Sequence, residues 1–430
     1  MKTDQIQKVH KDWYKLDLSA IVYPTLQRRD FSSVYRLSVL LKEDIDPEIL
    51  QRAVNLTMLR FPTYKAAIRK GVFWRYLEPN DRPGPFVQED VKNPCQPMHF
   101  KGNNRYLVRI YYYRNRIALE AHHSLGDGTG GMCVLQTLTA TYLRLKGHSE
   151  IENGGFVLDI LGIPDPGELE DAYMKYANAK VCPPRPGEKT YRVRGTKEPF
   201  YTLNIIDGIM SVSEVMQVAK SYNATITEYL NSVLLYALMR KQESEWHLKL
   251  RPVKIAMPVN LRRFFPSRTL RNFITMIYPG IDPRLGEYTF EEIVTQVHNY
   301  MRYYLNEKLL RGDITTNAET QRNPFIRIVP LFIKDLVVRQ FYTKIQDKNS
   351  SAGLTNMGAL KVPETMKPYI ERFDIYMGQP FSTRTNCAIA SFEDILTINF
   401  ASSIAETDVE RLFFRKLVQD GIHVKIESNR

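Results

Sequence analysis

The chain has 430 residues, of which 43% are hydrophobic and 25% are charged, and its formal net charge is +12. This composition is typical of folded globular proteins and excludes a largely disordered chain, while the length predicts two subdomains of roughly 200 residues each. No uncharged apolar run reaches the ~18 residues that span a bilayer, and the N-terminus carries no apolar block of signal-peptide length, so we expect a cytoplasmic protein. The four cysteines, at positions 95, 133, 182 and 387, are far apart and indicate neither a zinc ribbon nor a disulfide framework.

The excess of cations predicts attraction to an anionic partner, which could be nucleic acid, a membrane surface or a polyphosphate such as coenzyme A. The densest basic stretch runs from Arg251 to Arg271 and contains no acid; its cations are Arg251, Lys254, Arg262, Arg263, Arg268 and Arg271. Two interpretations of this stretch stay open, a solvated face whose cations pair with acids elsewhere and a ligand-binding surface. Nucleic acid is disfavoured as a partner because the sequence has no RNP-like strand, zinc finger or arginine-glycine repeat.

In chain order, the composition and periodicity of the first half predict alternating strands and helices. The predicted elements are a strand over Ser33–Lys42, a helix that starts at Asp46 and ends before Pro62, strands around Lys65–Arg69 and Val72–Leu77, the hairpin Tyr106–Tyr113 and Ile117–His123, a glycine-rich turn from Gly126 to Gly131, and a helix over Cys133–Lys146. A stretch rich in proline, glycine and charge then extends from about Pro164 to Pro199 and is the best candidate for a linker. We place the boundary near residue 185, which gives subdomains 1–185 and 186–430.

The second half continues the alternation. Its predicted elements are the strand Phe200–Ile206, the helices Val212–Ser221 and Thr227–Arg240, the strand Lys254–Pro258, the helices Thr289–Leu310 and Pro330–Tyr342, the strands Phe373–Met377, Cys387–Phe392 and Ile395–Ser402, and a closing helix over Thr407–Gly421. No fixed internal period occurs, which excludes a solenoid and favours a mixed α/β (α+β) fold.

The second strand of the predicted hairpin carries the most informative residue. Side chains alternate between the two faces of a strand, so His123 shares an apolar face with Ile117, Leu119 and Ala121, whereas His122 points to the other face. A neutral imidazole at the end of a strand can accept a proton at cellular pH, which makes His123 the candidate general base. For an isolated histidine, a core position without chemistry would be the more common outcome.

The run His122-His123-Ser124-Leu125-Gly126-Asp127-Gly128 overturns that expectation. It resembles the His-His-x-x-x-Asp-Gly signature of the coenzyme A dependent acyltransferase superfamily, which includes chloramphenicol acetyltransferase and nonribosomal peptide condensation domains. The resemblance implies that His123 deprotonates the acceptor, that Asp127 forms a structural salt bridge with a distant arginine, and that Gly128 keeps a channel open. It also implies two chloramphenicol acetyltransferase-like subdomains, with mixed sheets flanked by helices and the channel between them.

Further segments are similar to the same superfamily over most of the chain. They are Ile49–Pro62, Thr225–Leu238, Met257–Arg262, Thr355–Gly358 and the terminal Phe413–Asn429. Met257–Arg262 resembles a Pro-Val-Asn-x-Arg strand, which makes Arg262 the expected partner of Asp127. Thr355–Gly358 resembles a Ser-Asn-x-Gly strand that lines the channel, so we expect Asn356 and Gly358 to line it too, together with Tyr376.

The pattern sits nearest the bacterial alcohol acetyltransferase-like branch, and the Asp-Phe-Gly-Trp-Gly motif of the plant branch is absent around Phe373–Gly378. The resemblance implies transfer of an acyl group, in particular acetyl, from a coenzyme A thioester to an alcohol or amine. Acyl-CoA is then a co-substrate, with no bound cofactor and no metal, and we expect a monomer. The alternative is a condensation-type enzyme that takes its acyl group from an acyl-carrier protein and forms an amide or an ester.

Other functions are less well supported. A metal site would need His122, His123 and Asp127 to converge, although adjacent strand residues point apart. A serine hydrolase would need a Gly-x-Ser-x-Gly elbow, which the sequence lacks. A member of the fold without catalytic activity is a third alternative, which the intact motif disfavours. The apolar, cation-bearing segment Phe325–Tyr342 could touch a membrane, but a packed helix beside the channel is the preferred interpretation.

Overall fold

The structure is a computed structural model that describes residues 13–27, 31–180, 188–199, 202–245, 247, 249–344, 349–378 and 383–430. Its α-helices are α1 Tyr23–Leu26, α2 Pro47–Arg60, α3 Gly128–Lys146, α4 Ala172–Tyr176, α5 Val212–Ser221, α6 Ile226–Ser244, α7 Phe290–Tyr304, α8 Glu307–Arg322, α9 Pro324–Ile328, α10 Leu331–Lys344 and α11 Asp408–Gln419. Its strands are β1 Tyr14–Lys15, β2 Val34–Leu41, β3 Ala66–Lys70, β4 Arg75–Pro79, β5 Val87–Glu89, β6 Val108–Tyr113, β7 Arg116–His122, β8 Asn204–Ser211, β9 Val253–Asn260, β10 Ile274–Ile277, β11 Gly280–Ile281, β12 Ala352–Ala359, β13 Ile370–Met377, β14 Thr385–Phe392, β15 Ile395–Ser402 and β16 Lys425–Ser428.

The strands form mixed sheets flanked by helices, as the sequence predicts. One sheet has the order β13-β2-β7-β6-β5, a larger one has the order β10-β9-β12-β14-β15-β8-β16 with β11 paired to β9, and a small one has the order β1-β4-β3. Most pairs are antiparallel, whereas β12 runs parallel to both β9 and β14, and β5 runs parallel to β6. Each of the two larger sheets packs its apolar face into a separate buried core.

The sheet that carries the histidines draws strands from both halves of the chain. β6 and β7 pair antiparallel as the predicted hairpin, and β2 pairs with β7 from Val34 opposite His122 to Leu40 opposite Arg116. The edge beyond β2 is completed by β13, whose Phe373 lies opposite Val39. A single division of the chain at residue 185 therefore does not separate the two sheets, because residues 370–377 pair with the first sheet.

The segment proposed as a linker is partly folded. Its centre, residues 181–187, lies outside the described residues, and so does the proposed boundary. Before it, α4 places Tyr173 in a buried cluster with Phe273, at 5.3 Å between ring centroids. Composition alone could not predict this packing, because the partner aromatic residue is 100 positions further along the chain.

Several predicted bounds are corrected by side-chain caps. The predicted helix Thr289–Leu310 is two helices, because the Asn306 side chain accepts from the Leu309 N–H and begins α8. The helix after the histidine motif begins at Gly128 rather than Cys133, because Asp127 caps it. The strand predicted over Phe200–Ile206 is β8, Asn204–Ser211, and the helix predicted over Pro330–Tyr342 is α10.

Candidate active site

His123 lies directly after β7, where three neighbours fix its backbone and ring. Its N–H donates to the Ser33 carbonyl at 2.8 Å, which extends the pairing of β2 and β7 by one residue. The rings of Tyr23 and Tyr35 flank the imidazole, with centroid distances of 4.7 and 4.6 Å. The Tyr23 ring is stacked on the imidazole and the Tyr35 ring is tilted against it, so the two rings restrict its rotation and leave it partly exposed.

His122 points to the opposite face of the sheet. It is fully buried, its ring meets the edge of Phe100 at 5.4 Å, and its Nδ1 accepts from the Ser124 N–H at 3.2 Å. The alternation expected from the sequence thus separates the two histidines, and His123 is the one with access to solvent.

Both imidazoles are held neutral near pH 7. Burial lowers the pKa of His123 to about 4, although Asp127 and hydrogen bonding with Asn272 and the Gly126 backbone oppose the change. Burial, with smaller contributions from His123 and Arg109, lowers the pKa of His122 to about 3. Desolvation disfavours the charged form of an imidazole, so His123 is available as a proton acceptor throughout the physiological range.

Asp127 joins the motif to the second half of the chain. Its carboxylate caps α3 by accepting from the N–H groups of Thr129 and Gly130, at 3.1 and 3.2 Å. The Arg262 guanidinium donates to both carboxylate oxygens, at 2.8 and 3.3 Å. Both side chains are largely shielded from solvent, with exposures of 3% for Asp127 and 12% for Arg262. The structure therefore brings together the pair expected from the sequence.

The glycines of the motif allow close packing of the turn and of the first turn of α3. A Cβ at Gly126 would lie 2.5 Å from the Leu270 carbonyl oxygen, and one at Gly130 would lie 1.9 Å from the same atom. A Cβ at Gly128 would lie 3.0 Å from the Met357 sulfur. Gly126 and Gly130 are thus required by contacts with the 270 segment, and Gly128 lets α3 approach β12.

Two predicted channel residues lie on β12 beside this helix end. Asn356 Nδ2 donates to the Thr227 hydroxyl at 2.9 Å, and its Oδ1 accepts from the Gly358 N–H at 2.7 Å. Gly358 has a φ of +72°, a conformation that favours glycine. Asn356 thus ties β12 to the first turn of α6 and shapes the strand next to Met357 and Gly128.

Tyr376 lies elsewhere, which corrects its expected place in the channel. It pairs in register with Arg36, whereas its neighbour Met377 pairs with Tyr35, which packs on His123. Directly opposed residues share a face, so Tyr376 is on the face opposite His123. It is 5% exposed and its hydroxyl donates to Asp207 at 2.9 Å, between the two larger sheets.

A buried network of polar side chains lies behind His123, and the sequence analysis did not predict it. Asn272 Nδ2 donates to the main-chain carbonyl of His123 at 2.9 Å and to the Asp17 carboxylate at 3.0 Å. Asp17 is fully buried and faces Arg271 at 3.7 Å. The next N–H, that of Phe273, donates to Asp127 at 2.9 Å. Asp17 lies in no segment that the sequence analysis singled out.

The basic stretch is mostly paired with acids elsewhere, as one of its two interpretations proposed. Its ion pairs are Arg262 with Asp127, Arg271 with Asp17, Arg268 with Asp165, and Lys254 with Glu188. Arg263 is exposed and lies near Gly358, where a Cβ would be 3.5 Å from its guanidinium.

Among the described residues, no group of three or more histidine, cysteine or acidic side chains could hold a metal ion. In the same part of the chain, no helix is long and apolar enough to cross a membrane.

Solved structures with the same architecture include a trichothecene 15-O-acetyltransferase and a starter condensation domain. TRI101 of F. sporotrichioides, complexed with coenzyme A and T-2, matches with a TM-score of 0.61 and 13% identity over 96% of this chain and 100% of that chain. Polyketide synthase associated protein 5 of Mycobacterium tuberculosis matches with a TM-score of 0.59 and 13% identity, over 94% and 96%. The starter condensation domain of rhizomide synthetase, with C8-CoA and Leu-SNAC, matches with a TM-score of 0.58 and 11% identity, over 98% and 96%.

This chain has their fold. The match covers nearly the whole chain, so the two-part α/β architecture expected from the histidine motif is confirmed. No protein-family model matches the sequence, and no curated protein matches it.

Proposed function

We propose that this chain is an acyltransferase that moves an acyl group, in particular acetyl, from a coenzyme A thioester to an alcohol or amine, with His123 as general base. One observation carries the proposal: a neutral, partly exposed imidazole is fixed at a strand end, beside an Asp127–Arg262 pair that joins the two halves of the chain. Its support from known proteins is the fold shared with TRI101, a structure that contains coenzyme A.

The reaction follows from the protonation state of His123. The neutral imidazole takes the proton of the acceptor hydroxyl or amine while that oxygen or nitrogen attacks the thioester carbonyl. The carbon–sulfur bond of the tetrahedral intermediate then breaks, and the thiolate leaves with the proton that the imidazolium returns. Burial lowers the pKa of His123 to about 4, which keeps the imidazole neutral at pH 7, weakens it as a base and lets the imidazolium return its proton readily.

The donor's phosphates need a cation that is not committed to an internal pair. Arg262 and Arg271 are committed, whereas Arg263 is exposed beside Gly358, at the end of β12 that faces the motif helix. Arg263 is therefore our candidate for the donor side. Its replacement by glutamine should raise KM for acyl-CoA and leave kcat nearly unchanged, since it would act on binding alone.

A condensation-type reaction with a carrier-bound acyl group is the second candidate. It is favoured by the likeness to the starter condensation domain of rhizomide synthetase over 98% of this chain. The same histidine would then deprotonate the acceptor, and only the thiol that leaves would differ.

The test is thiol release from acetyl-CoA and longer acyl-CoA esters, measured with the purified full chain and a panel of alcohols and amines. His123→Ala should lower turnover by about 10² to 10⁴. His423→Ala is the matched control, because His423 is exposed and pairs only with Glu214, and it should keep wild-type turnover. Equal turnover of His123→Ala and wild type would disprove the mechanism, and activity only with an acyl-carrier protein would establish the second candidate.

A further inference from the structure

The short helix α1 carries the tyrosine that stacks on His123. The ring planes of Tyr23 and His123 are 19° apart at a centroid distance of 4.7 Å, so the tyrosine covers one face of the imidazole. α1 has only four residues, and its N-cap is Val22, whose apolar side chain cannot accept a hydrogen bond. A helix this short is not stable by itself, so contacts with other elements must set the position of Tyr23.

The main anchor of α1 is α10, which holds Thr25, two residues after Tyr23. The Thr25 hydroxyl donates to Asp335 at 2.8 Å, and Arg339 Nε donates to the Thr25 carbonyl at 2.9 Å. At the start of α1, the Ser33 hydroxyl donates to the Tyr23 carbonyl at 3.2 Å. Thr25 is only 2% exposed, so water competes little for these bonds.

An ion pair between β4 and α10 fixes the Asp335 carboxylate. The Arg75 guanidinium donates to both Asp335 oxygens, at 2.8 and 2.5 Å, and to the Thr25 hydroxyl at 2.9 Å. The Arg75 side chain is 5% exposed and that of Asp335 is 20% exposed. A bidentate pair fixes the direction of the carboxylate as well as its distance. The three side chains therefore join β4, α10 and α1 at one point.

α10 is fastened to the same hairpin through the backbone, since the Leu331 N–H donates to the Val72 carbonyl at 2.8 Å. The sequence favoured a packed helix beside the channel for Phe325–Tyr342. For the apolar side chains the structure corrects that preference, because Phe325 of α9 is 77% exposed and Phe332 of α10 is 73% exposed. The contacts that hold α10 in place are polar.

From these contacts we propose that Asp335 positions the His123 imidazole. With Arg75 it holds Thr25, and thereby the Tyr23 ring, in place. The inference rests on the proposed function of His123 as general base. A shift of α1 would let the imidazole tilt, and proton transfer needs hydrogen-bond reach of the acceptor, so turnover would fall while the groups that bind the substrates stay in place.

The first test measures the imidazole without any turnover. In NMR spectra of the full-length protein, the His123 ring protons are assigned by their loss in His123→Ala, and the ring current of Tyr23 should shift them upfield. Asp335→Ala should move them toward their positions in Tyr23→Ala. Thr25→Val keeps the Arg75–Asp335 pair and removes only the hydroxyl, so it should cause a smaller shift in the same direction, and it replaces Asp335→Ala if that variant does not fold. His123 resonances that stay unchanged in these variants would overturn the inference.

The second test is steady-state turnover of acyl-CoA. Asp335→Ala should lower kcat by about 10- to 100-fold with a smaller change in KM, because it displaces the base and removes no contact to substrate. Tyr23→Ala should have a similar effect. The double variant should be no slower than Tyr23→Ala alone, since Asp335 acts through the same ring. Losses of kcat that multiply would contradict this pathway.

The matched control is Asp408→Ala on α11. Asp408 accepts from Lys241 and Arg411, each at 2.8 Å, and its side chain is 33% exposed. This variant should lower the melting temperature and keep wild-type kcat. If Asp335→Ala behaved in the same way, its role would be structural and the inference would be wrong. Failure of the proposed function would be recognised separately, by wild-type turnover of His123→Ala.

Discussion

The side-chain amide of Asn272 donates to the main-chain carbonyl of His123 across 2.9 Å, and the same nitrogen donates to the buried carboxylate of Asp17. The orientation of the amide is fixed by this second bond, because a carboxylate accepts and cannot donate. The Asp17 carboxylate thus fixes Asn272, whose amide in turn fixes the backbone of His123. We propose that both residues position His123, the proposed general base.

Removing this amide should affect turnover more than binding. Asn272→Ala should lower kcat by roughly 10- to 100-fold with a smaller change in KM for acyl-CoA, because a displaced base misses the acceptor proton. It should also lower the free energy of unfolding by about 1–3 kcal/mol, since Asp17 loses a buried donor. Steady-state kinetics and urea unfolding measure the two effects.

The matched control is Asn429→Ala, which removes side-chain bonds to the backbone at Leu203 and Ile205 far along the chain from the motif. It should lose stability and keep kcat. An Asn272→Ala enzyme with wild-type kcat would show that Asn272 has a structural role alone.

The Asp127–Arg262 pair should contribute strongly to stability. Asp127→Ala leaves a largely buried guanidinium without its carboxylate and should lower the free energy of unfolding by about 3–5 kcal/mol. Arg262→Met should cost a similar amount. The double variant should cost less than the two single costs together, because the second change removes the unpaired charge.

Arg268→Met is the control for this pair, since Arg268 is 81% exposed and pairs with a half-exposed Asp165. It should change stability by less than about 1 kcal/mol. Additive costs for Asp127→Ala and Arg262→Met in urea unfolding would be evidence against a coupled pair.

Gly130 should tolerate no larger residue. Alanine normally favours a helix over glycine by about 1 kcal/mol, but a Cβ here would lie 1.9 Å from the Leu270 carbonyl oxygen. Gly130→Ala should therefore lower the melting temperature and separate α3 from the 270 segment. Gly102→Ala, whose Cβ would meet atoms no closer than 3.5 Å, should leave the melting temperature nearly unchanged. A Gly130→Ala protein as stable as wild type would contradict the close packing.

The pH dependence of turnover should reflect the lowered pKa of the His123 imidazole. The base acts in its neutral form and its pKa is lowered to about 4, so kcat/KM should stay flat between about pH 5.5 and 8. The free energy of unfolding should also fall in acid. Below about pH 6.5 the unfolded chain binds protons at His122 and His123 and the folded chain does not, so the stabilisation from these two neutral imidazoles is complete above that pH and is lost as pH falls toward 4. Initial rates in a buffer series of constant ionic strength measure kcat/KM. A fall in kcat/KM with an apparent pKa near 6.5 would contradict the lowered pKa of His123.

The positions of some site residues could be predicted from the sequence, and those of others could not. Alternation along a strand is a local property, so the sequence separated His123 from His122 without any knowledge of the neighbouring strands. The resemblance supplied Arg262 as the partner of Asp127, because both lie in recognisable segments. Tyr376 was misplaced because its face depends on the register between β13 and β2, which pair across more than 300 positions of the chain.

The residues that sequence analysis missed are those whose role depends on distant neighbours. Asp17 lies in a polar N-terminal stretch with no motif, and its partner Asn272 is 255 positions away. The two rings that contact the His123 imidazole, Tyr23 and Tyr35, likewise come from separate elements. Neither arrangement can be recognised from the periodicity or the composition of the sequence.

The sequence alone predicted the mixed α/β fold and distinguished His123 from His122, because strand periodicity and a contiguous motif depend on neighbouring residues. The contacts that hold the imidazole, the position of Tyr376 and the exposure of the apolar side chains of α9 and α10 are visible in the folded molecule alone. These properties depend on burial and on contacts between elements far apart in the chain. Whether an apolar helix is covered is set by what packs against it, and its own residues do not encode that partner.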